Sequence, residues 1–447
     1  MADKNADRPD DVKQREPDRD TSRPFINEKI VRPPVTKRQI ARRIVLTAFC
    51  AALFGVLAAV CFVVTAPVAG RFLGHTLPNE STQVTIPRDE PESTTAPPET
   101  TVPPEAPSET EPLEEMVRSE LNKYPYSMED LNKLYGHLRT LASQADASMV
   151  VVHSIQRERD WFDNPIETTG QFSGAVIAKS GGEILILTPE AAVEAADSIE
   201  VVFPDGTVME GAVKQRDSIM GMAVVSVDGT QMDSQVFEDV QAIVLGNSYG
   251  VKQGDVVVAV GAPAGISHSS DYGFISYVIR NVQTIDGTAR VFYANTAFDA
   301  AAGTFLVNTS GELIGWATDK YTEKSGSMAT VVAISDYKGI LELLSNGVTP
   351  PYFGIKGQDV SQAMEESGMP KGVYVTEAVA DSPAYNAGIQ PGDVITWMNG
   401  QEVGNMKDFQ NQVEKFHEGD PIKVAVQRNN GRDEYKEIEF DVTIGAR

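Results

Sequence analysis

Residues 303–318 read GTFLVNTSGELIGWAT, which is two apolar runs separated by the turn sequence Thr309-Ser310-Gly311. Short apolar runs on either side of a glycine-containing turn predict a β-hairpin. The same pattern occurs upstream in SIEVVFPDGTVMEGAVK (198–214), where Pro204-Asp205-Gly206 separates two further runs. These stretches therefore predict a sheet of short antiparallel strands.

The surrounding region, 148–346, is a series of similar runs with few helical patterns. It includes MVVVHSI (149–155), EILILTP (183–189), DVVVAVGAP (255–263) and FISYVIRN (274–281). Many short strands in one region are typical of a barrel or a sandwich. We predict a mainly β domain over 148–346, with two barrels as the favoured arrangement.

A second folded unit is predicted over 350–447, after the loop sequence GVTPP. It combines strand-like runs with one amphipathic helix, so it is of the α+β class. Asn405, with Asp408 three residues later, has the form of a helix N-cap. Met406, Phe409 and Val413 then fall on one face of that helix.

The N-terminal region contains an apolar segment, 44–70, without a single charged residue. A helix of this length spans about 40 Å, enough to cross a hydrocarbon core of about 30 Å. Four basic residues precede it, namely Lys37, Arg38, Arg42 and Arg43. By the positive-inside rule we predict a single-pass transmembrane helix in the cell membrane, with the N-terminus cytoplasmic and the C-terminal domains extracytoplasmic. A cleaved signal peptide is the alternative.

Three segments flank these units. Residues 1–43 are polar and are predicted to be a disordered cytoplasmic tail, and 71–112, rich in Pro, Thr and Glu, are predicted to be an extended stalk. Residues 113–147 form a helical lead-in, in which Ser127 and Asp130 have the spacing of a capping box. We expect this helix to pack on the domain or on a sister chain.

Charge and composition exclude several classes of function. The chain has 63 Asp and Glu against 38 Lys and Arg, a net charge of −25, which argues against a nucleic-acid partner. Both cysteines, Cys50 and Cys61, lie in the apolar segment, so the exported part has no thiolate ligand. Paired histidines at metal-binding spacing are absent as well. We predict neither a metal nor a cofactor.

The order of motifs along the chain resembles that of a known family. The motifs are SGAVI (173–177), LTPEAAV (187–193), VVAVGAP (257–263) and LVNTSGELIG (306–315), followed by SPA (382–384), AGI (387–389) and QPGD (390–393). They resemble the HtrA/Deg family of serine proteases with a C-terminal PDZ domain. The resemblance implies a chymotrypsin/trypsin-like double β-barrel followed by a PDZ domain, a Ser-His-Asp triad, and backbone amides that form an oxyanion hole.

The triad itself is missing from this sequence. The positions that match the family's histidine, aspartate and serine hold Ala191, Gly221 and Ala302. None of these residues can act as a nucleophile or accept its proton. Ser, His and Asp cluster only at 265–271, around His268, and neighbours on one loop do not converge as a triad does. We therefore predict a pseudoprotease without enzymatic activity.

In the PDZ domain, Tyr352-Phe353-Gly354-Ile355 matches the family's carboxylate-binding loop, whose amides cradle a peptide C-terminus. The resemblance implies that the peptide lies between this strand and the helix that begins near Met406. The predicted peptide-binding residues are Tyr352, Phe353, Gly354, Ile355, Met406, Phe409 and Val413. Phe409 and Val413 fit the domain core equally well, whereas Phe353 and Ile355 are favoured as groove residues.

Together these features predict a membrane-anchored, extracytoplasmic scaffold protein of the bacterial cell envelope. It would bind protein C-termini or extended, unfolded segments through the PDZ domain. The alternative hypothesis is a serine-type endopeptidase of envelope protein quality control, with residual or non-standard catalysis. Because HtrA relatives are commonly trimers, a homotrimer or a mixed assembly with an active homologue is a further hypothesis.

Overall fold

A computed structural model describes residues 83–90, 127–159, 165–321, 328–431 and 434–447. The predicted cytoplasmic tail, the transmembrane segment 44–70, most of the stalk and the start of the helical lead-in lie outside these ranges. Within them, none of the helices combines the length and the apolar character that crossing a membrane requires. The transmembrane helix at 44–70 therefore stays a prediction.

The first described helix, α1 (Met128–Asp146), begins at the predicted capping box. The Ser127 hydroxyl accepts a hydrogen bond from the Asp130 amide, and the Asp130 carboxylate accepts one from the Ser127 amide. Only the C-terminal part of α1 is buried, through Ala142 and Ala145. The apolar residues of its first turns face outward, and Leu134 is 56% exposed.

The first barrel follows α1. Its strands are β1 (Met149–Arg159), β2 (Pro165–Ser180), β3 (Glu183–Pro189), β4 (Ser198–Val202), β5 (Val208–Asp217) and β6 (Met222–Asp228). They close in the order β1-β2-β3-β6-β5-β4, with every pair antiparallel. The predicted turn at 204–206 joins β4 to β5, so that hairpin is confirmed. A short helix, α2 (Ser234–Asp239), follows the barrel.

The second barrel repeats this arrangement. Its strands are β7 (Val256–Gly261), β8 (Asp271–Thr284), β9 (Gly287–Ala294), β10 (Thr304–Val307), β11 (Leu313–Ala317) and β12 (Ala329–Ala333). They close in the order β10-β11-β12-β9-β8-β7, which confirms the predicted double barrel. The turn at 309–311 joins β10 to β11 as predicted. Helix α3 (Lys338–Ser345) then leads out of the barrel.

Strand β3 shows how the barrels pack together. Ile184 and Ile186 lie in the interior of the first barrel, whereas Leu185 and Leu187 belong to a cluster that also contains Val258 and other residues of the second barrel. Successive side chains of a strand point to opposite faces, so β3 is buried on both. The seam between the barrels therefore lies along β3, and the end of this strand delivers Glu190 and Ala191 to it.

The PDZ domain has its own sheet and core. Its strands are β13 (Pro351–Tyr352), β14 (Ile355–Asp359), β15 (Val373–Ala378), β16 (Val394–Met398), β17 (Gln401–Glu402), β18 (Pro421–Asn429), β19 (Tyr435–Thr443) and β20 (Gly445–Ala446), and its helices are α4 (Gln362–Glu366), α5 (Pro383–Ala387) and α6 (Met406–Val413). The main sheet has the order β14-β15-β16-β18-β19. Asn405 caps α6 as predicted, since its side chain accepts from the Asp408 amide at 2.8 Å.

The PDZ domain is joined to the barrels by polar contacts that are buried. Arg447, which follows β20, donates to the Asp217 carboxylate at the end of β5 at 3.0 Å, and both side chains are almost fully buried. The Gln410 side chain donates to the Asp336 carbonyl at 2.9 Å. The described residues, from 83 to 447, accordingly belong to one compact unit.

Residues 83–90, which we call the strap, differ from the predicted free stalk. Val84 exchanges two hydrogen bonds with the Asn346 side chain, at 2.9 and 2.8 Å, and Ile86 is buried in the cluster shared by the barrels. Asp89 accepts a bond from Lys338, whose side chain is only 4% exposed. The average composition of 71–112 hides this short stretch, which docks through one buried apolar side chain, its backbone and the charged side chains of Arg88 and Asp89.

If the strap is part of the folded unit, Ile86→Ala should lower the free energy of unfolding by about 2–4 kcal/mol, because it removes a buried side chain and leaves a cavity. Urea denaturation of the full chain measures this change. Thr85→Ala, at the exposed neighbouring position, is the matched control and should change stability by less than about 0.5 kcal/mol. If Ile86→Ala lowered the free energy of unfolding no more than Thr85→Ala does, the burial of Ile86 would contribute nothing to the stability of the folded unit.

Candidate functional site

The three positions predicted to correspond to the triad, Ala191, Gly221 and Ala302, lie on neighbouring turns at the seam between the barrels. The Glu190 amide donates to the Gly221 carbonyl at 3.0 Å, which brings the end of β3 against the turn before β6. The Ser173 amide donates to the Ala302 carbonyl at 2.7 Å and so holds the third turn against β2. The fold thus keeps these turns adjacent, but the three predicted triad positions themselves carry no nucleophile, base or carboxylate, and the Ser218 hydroxyl on the second turn donates to the Glu190 carboxylate on the first.

A lysine occupies the space beside Gly221. A Cβ atom on Gly221 would lie 3.2 Å from Nζ of Lys320, and the glycine has a φ of +74°, which an L-side chain rarely adopts. The Lys320 ammonium donates to the carbonyls of Ser218 and Ile219. Burial lowers the pKa of Lys320, while Glu190 and Asp217 act in the opposite direction. A cationic group therefore lies directly beside the position predicted for the triad aspartate.

The amide at the serine position is already paired. Ala302 N donates to the Asp299 carboxylate at 2.8 Å. Thr304 fixes the same loop, because its hydroxyl accepts from the Asp299 amide and donates to the Asp299 carbonyl, both at 2.9 Å. In a serine protease the corresponding amide stabilises the oxyanion of the reaction intermediate. Here the Ala302 amide instead donates to the Asp299 carboxylate of the same chain.

The described part of the barrels contains two histidines, His153 and His268, and each contacts a side chain outside the predicted triad positions. Nδ1 of His268 lies 3.1 Å from the Asp146 carboxylate on α1, while the neighbouring Ser269 hydroxyl donates to the Ile266 carbonyl. His153 lies in the middle of β1 beside Gln171. The described residues also contain no group of three or more His, Cys, Asp or Glu side chains arranged to hold a metal ion.

The predicted carboxylate-binding loop of the PDZ domain does hold a carboxylate. The amides of Phe353, Gly354 and Ile355 donate to the two Asp286 side-chain oxygens at 2.8, 2.7 and 3.0 Å. Gly354 has a φ of +90°, and this backbone turn aims the three N–H groups at one point. The loop therefore has the geometry of an anion site.

Asp286 lies at the tip of the hairpin that joins β8 to β9 in the second barrel. Its own amide donates to the Ile355 carbonyl at 2.8 Å, and the residue is 1% exposed. Burial raises the pKa of Asp286, whereas the Arg447 guanidinium and the three amides favour its ionised form. Sequence reasoning missed this residue. The Asp286-Gly287 pair signals a hairpin turn but not what the turn contacts.

The apolar side chains predicted to bind peptide are all buried in the PDZ core. Phe353, Ile355, Met406, Phe409 and Val413 are each 2% exposed or less and belong to one cluster. The rings of Phe353 and Phe409 meet edge to face, with centroids 5.3 Å apart. Of the seven predicted residues, only Tyr352 is partly exposed. The structure brings all of them together around the loop, and their contacts with a peptide stay a prediction.

The loop conformation predicts a specific sensitivity at Gly354. A Cβ atom there would lie 2.1 Å from Cβ of Ser382, so Gly354→Ala should lower the free energy of unfolding by about 3 kcal/mol or more. Gly392→Ala is the matched control, because Gly392 has a similar φ of +97° with open space around it. That variant should lose only about 1–2 kcal/mol. Thermal and urea denaturation give both values, and equal losses would mean that the loop tolerates a side chain.

Comparison with known proteins identifies both domains. A model of the trypsin-like peptidase domain matches residues 172–315, and a model of the PDZ domain matches 351–442. Serine protease Do-like HtrA of Bacillus subtilis (strain 168) is 28% identical over 335 residues, covering 70% of this chain and 72% of that protein. Serine protease Do-like HtrB of the same organism is 30% identical over 279 residues, with coverages of 57% and 59%.

Two further proteins extend the comparison. A probable periplasmic serine endoprotease, DegP-like, from Pseudomonas savastanoi pv. phaseolicola is 29% identical over 293 residues, covering 64% of this chain and 57% of that protein. Among solved structures, HtrA-type protease AlgW with decapeptide is 22% identical, with a TM-score of 0.49, covering 69% of this chain and 98% of that one. The two domain models, which together match more than half of the chain, and the three named relatives agree. The chain therefore consists of a trypsin-like peptidase domain followed by a PDZ domain and is similar to HtrA-type serine proteases.

Proposed function

We propose that this chain is a pseudoprotease, an HtrA-type protein that binds polypeptides without cleaving them. The observation that carries the proposal is the set of residues at the triad turns, Ala191, Gly221 and Ala302, with the Lys320 ammonium beside the glycine. Hydrolysis by a serine protease needs a hydroxyl, a base that takes its proton and a carboxylate that orients the base. At the positions predicted for the hydroxyl, the base and the carboxylate, this chain has Ala302, Ala191 and Gly221, respectively.

The oxyanion site supports the same conclusion. An oxyanion hole contributes to catalysis only if its donors are free to bind the charge that develops in the transition state. The Ala302 amide is engaged by Asp299 within the same loop, and this bond would have to break before an intermediate was stabilised. In this chain the loop 299–304 is closed by its own hydrogen bonds.

Recognition is the property that the PDZ domain supports. Three amides converge between β13 and β14, and the carboxylate they hold has the hydrogen bonds that a peptide C-terminus would need. We propose that the ligands are protein C-termini or extended segments, bound between β14 and α6. The peptide-contacting residues are those predicted above, from Tyr352 to Ile355 on the strand side and Met406, Phe409 and Val413 on the helix side.

For location, we propose the cell envelope, with the folded unit outside the cytoplasm. The apolar segment 44–70 would anchor the chain, and the Pseudomonas relative is named as periplasmic. A scaffold in this position would hold exported polypeptides near the membrane. A homotrimer, or a mixed assembly with an active homologue, is compatible with this role.

A serine-type endopeptidase with residual or non-standard catalysis is the second candidate. The names of the relatives favour it, because those from Bacillus and Pseudomonas are all named as serine proteases. The two candidates differ in whether any serine of the chain is reactive.

We expect the full chain to show no covalent labelling by a fluorophosphonate probe and no cleavage of unfolded casein. Ala302→Ser should behave like the wild type, because a hydroxyl without a base lacks most of the roughly 10⁶-fold acceleration that a triad supplies. Gel fluorescence and mass spectrometry report labelling, and Bacillus subtilis HtrA serves as the active control. Labelling of the wild type at a single serine would overturn the pseudoprotease assignment.

Peptide binding should depend on a free C-terminal carboxylate. Amidation of the peptide removes the charge that the three loop amides recognise, so we expect its affinity for the full chain to fall at least about tenfold. Fluorescence anisotropy with an array of decapeptides ending in Val, Leu or Phe measures the change. Gly392→Ala, which lies outside the loop, should preserve the difference. Equal affinities of the free and amidated forms would contradict binding through the loop.

A further inference from the structure

The PDZ loop in this structure is an occupied site. All three of its converging amides donate to Asp286, and the carbonyl of Ile355 accepts the Asp286 amide in return. A strand that adds beside β14 would place its carboxylate and its last N–H on these same groups. Asp286 therefore makes, from within the chain, the polar contacts that an outside C-terminus would make.

We propose that Asp286 is an internal ligand of the PDZ domain, and that an outside polypeptide binds only after displacing the tip of the β8–β9 hairpin. This inference rests on the proposed peptide-binding function of the same site. It adds that the site already holds a side chain of the same chain, and it states which outside groups can displace that side chain.

The backbone of the tip indicates that the contact is specific. Asp286 adopts a φ of +60°, a left-handed conformation that is unfavourable for a residue with a side chain. Its carboxylate is removed from solvent, and a buried carboxylate is costly unless it is paired. The two-residue turn between Thr284 and Gly287 accounts for the conformation, which aspartate tolerates, and four hydrogen bonds to the loop offset the cost of burial. Without the PDZ loop, the burial of this carboxylate would not be compensated to the same extent.

Contacts on both walls of the groove hold the hairpin in place. On the sheet side, Gln283 donates to the Gln358 side chain at 3.0 Å and accepts from the Thr376 hydroxyl at 2.7 Å. On the helix side, Gly287 packs so closely on Gln410 of α6 that a Cβ atom on the glycine would lie 3.0 Å from Oε1 of Gln410. The tip thus lies between β14 and α6, where a peptide is expected.

The contacts of Asp286 also define which outside groups could replace it in the PDZ loop. A competing group must present a carboxylate together with a backbone N–H that reaches the Ile355 carbonyl. A C-terminal residue does so with its α-carboxylate, and an aspartate at a tight turn does so with a side chain one bond longer. The apparent affinity of either ligand is reduced by the small fraction of molecules in which the tip has left the site.

The first test uses amide hydrogen exchange at residues 353–355 in the full chain. We expect exchange to be at least about tenfold faster in Asp286→Ala than in the wild type, and intermediate in Asp286→Asn, which keeps the shape but not the charge. Asp205→Asn is the matched control, because Asp205 lies at the tip of the β4–β5 hairpin and its side chain bonds only within its own turn. That variant should match the wild type.

The second test measures binding of the same free-carboxylate decapeptides to each variant. We expect the apparent Kd of Asp286→Ala to be at least about tenfold lower than that of the wild type, and that of Asp205→Asn to be unchanged. Far-ultraviolet circular dichroism and thermal denaturation confirm that each variant is folded, and Asp286→Asn replaces the alanine variant if the latter unfolds.

The two tests separate the inference from the proposed function. Faster exchange without peptide binding in any variant would support Asp286 as the occupant and would overturn peptide recognition. Unchanged exchange in a folded Asp286 variant would overturn the internal ligand, even if peptides bind. Faster exchange together with tighter binding supports both.

Discussion

A buried backbone N–H group has to be paired, and a set of such groups converging on one point is best paired by an anion. The PDZ loop meets that condition with three amides, which all donate to the Asp286 carboxylate of the same chain. At the predicted serine position of the barrels a single amide, that of Ala302, is paired in a similar way by the Asp299 carboxylate. Each pairing holds a loop in place, the first against the β8–β9 hairpin and the second on itself.

The seam between the barrels is held by apolar packing around strand β3. Strand β3 is buried on both faces, so the turn after it stays in place whatever side chains it carries. Gly221 leaves room for a neighbour, and the Lys320 ammonium fills that room while bonding to backbone carbonyls. The turns that carry the predicted triad positions are thus held by apolar packing and by backbone hydrogen bonds.

The sequence predicted those features that depend on local patterns. The hairpins at 204–206 and 309–311, the α1 capping box and the Asn405 cap all follow from residues a few positions apart, and the double barrel and the PDZ domain follow from their motifs. The strap and the Asp286 contact could not be predicted in this way. Val84 meets Asn346 and Asp286 meets Gly354 across long stretches of chain, and no local pattern encodes such docking. The burial of Phe353 and Phe409 depends on the same long-range packing.

The ion pair between Arg447 and Asp217 bears on how the PDZ groove can open. Domains joined by exposed linkers usually move as rigid bodies about a hinge. Here such a rotation would separate two charges that are almost fully buried, and leaving either one unpaired costs several kcal/mol. Fraying of the two-residue hairpin tip breaks the four hydrogen bonds of Asp286 to the loop and weakens its attraction to Arg447, but it leaves the pair between Arg447 and Asp217 intact. If the proposed displacement of the tip occurs, we therefore expect a local fluctuation of the second barrel rather than a swing of the PDZ domain.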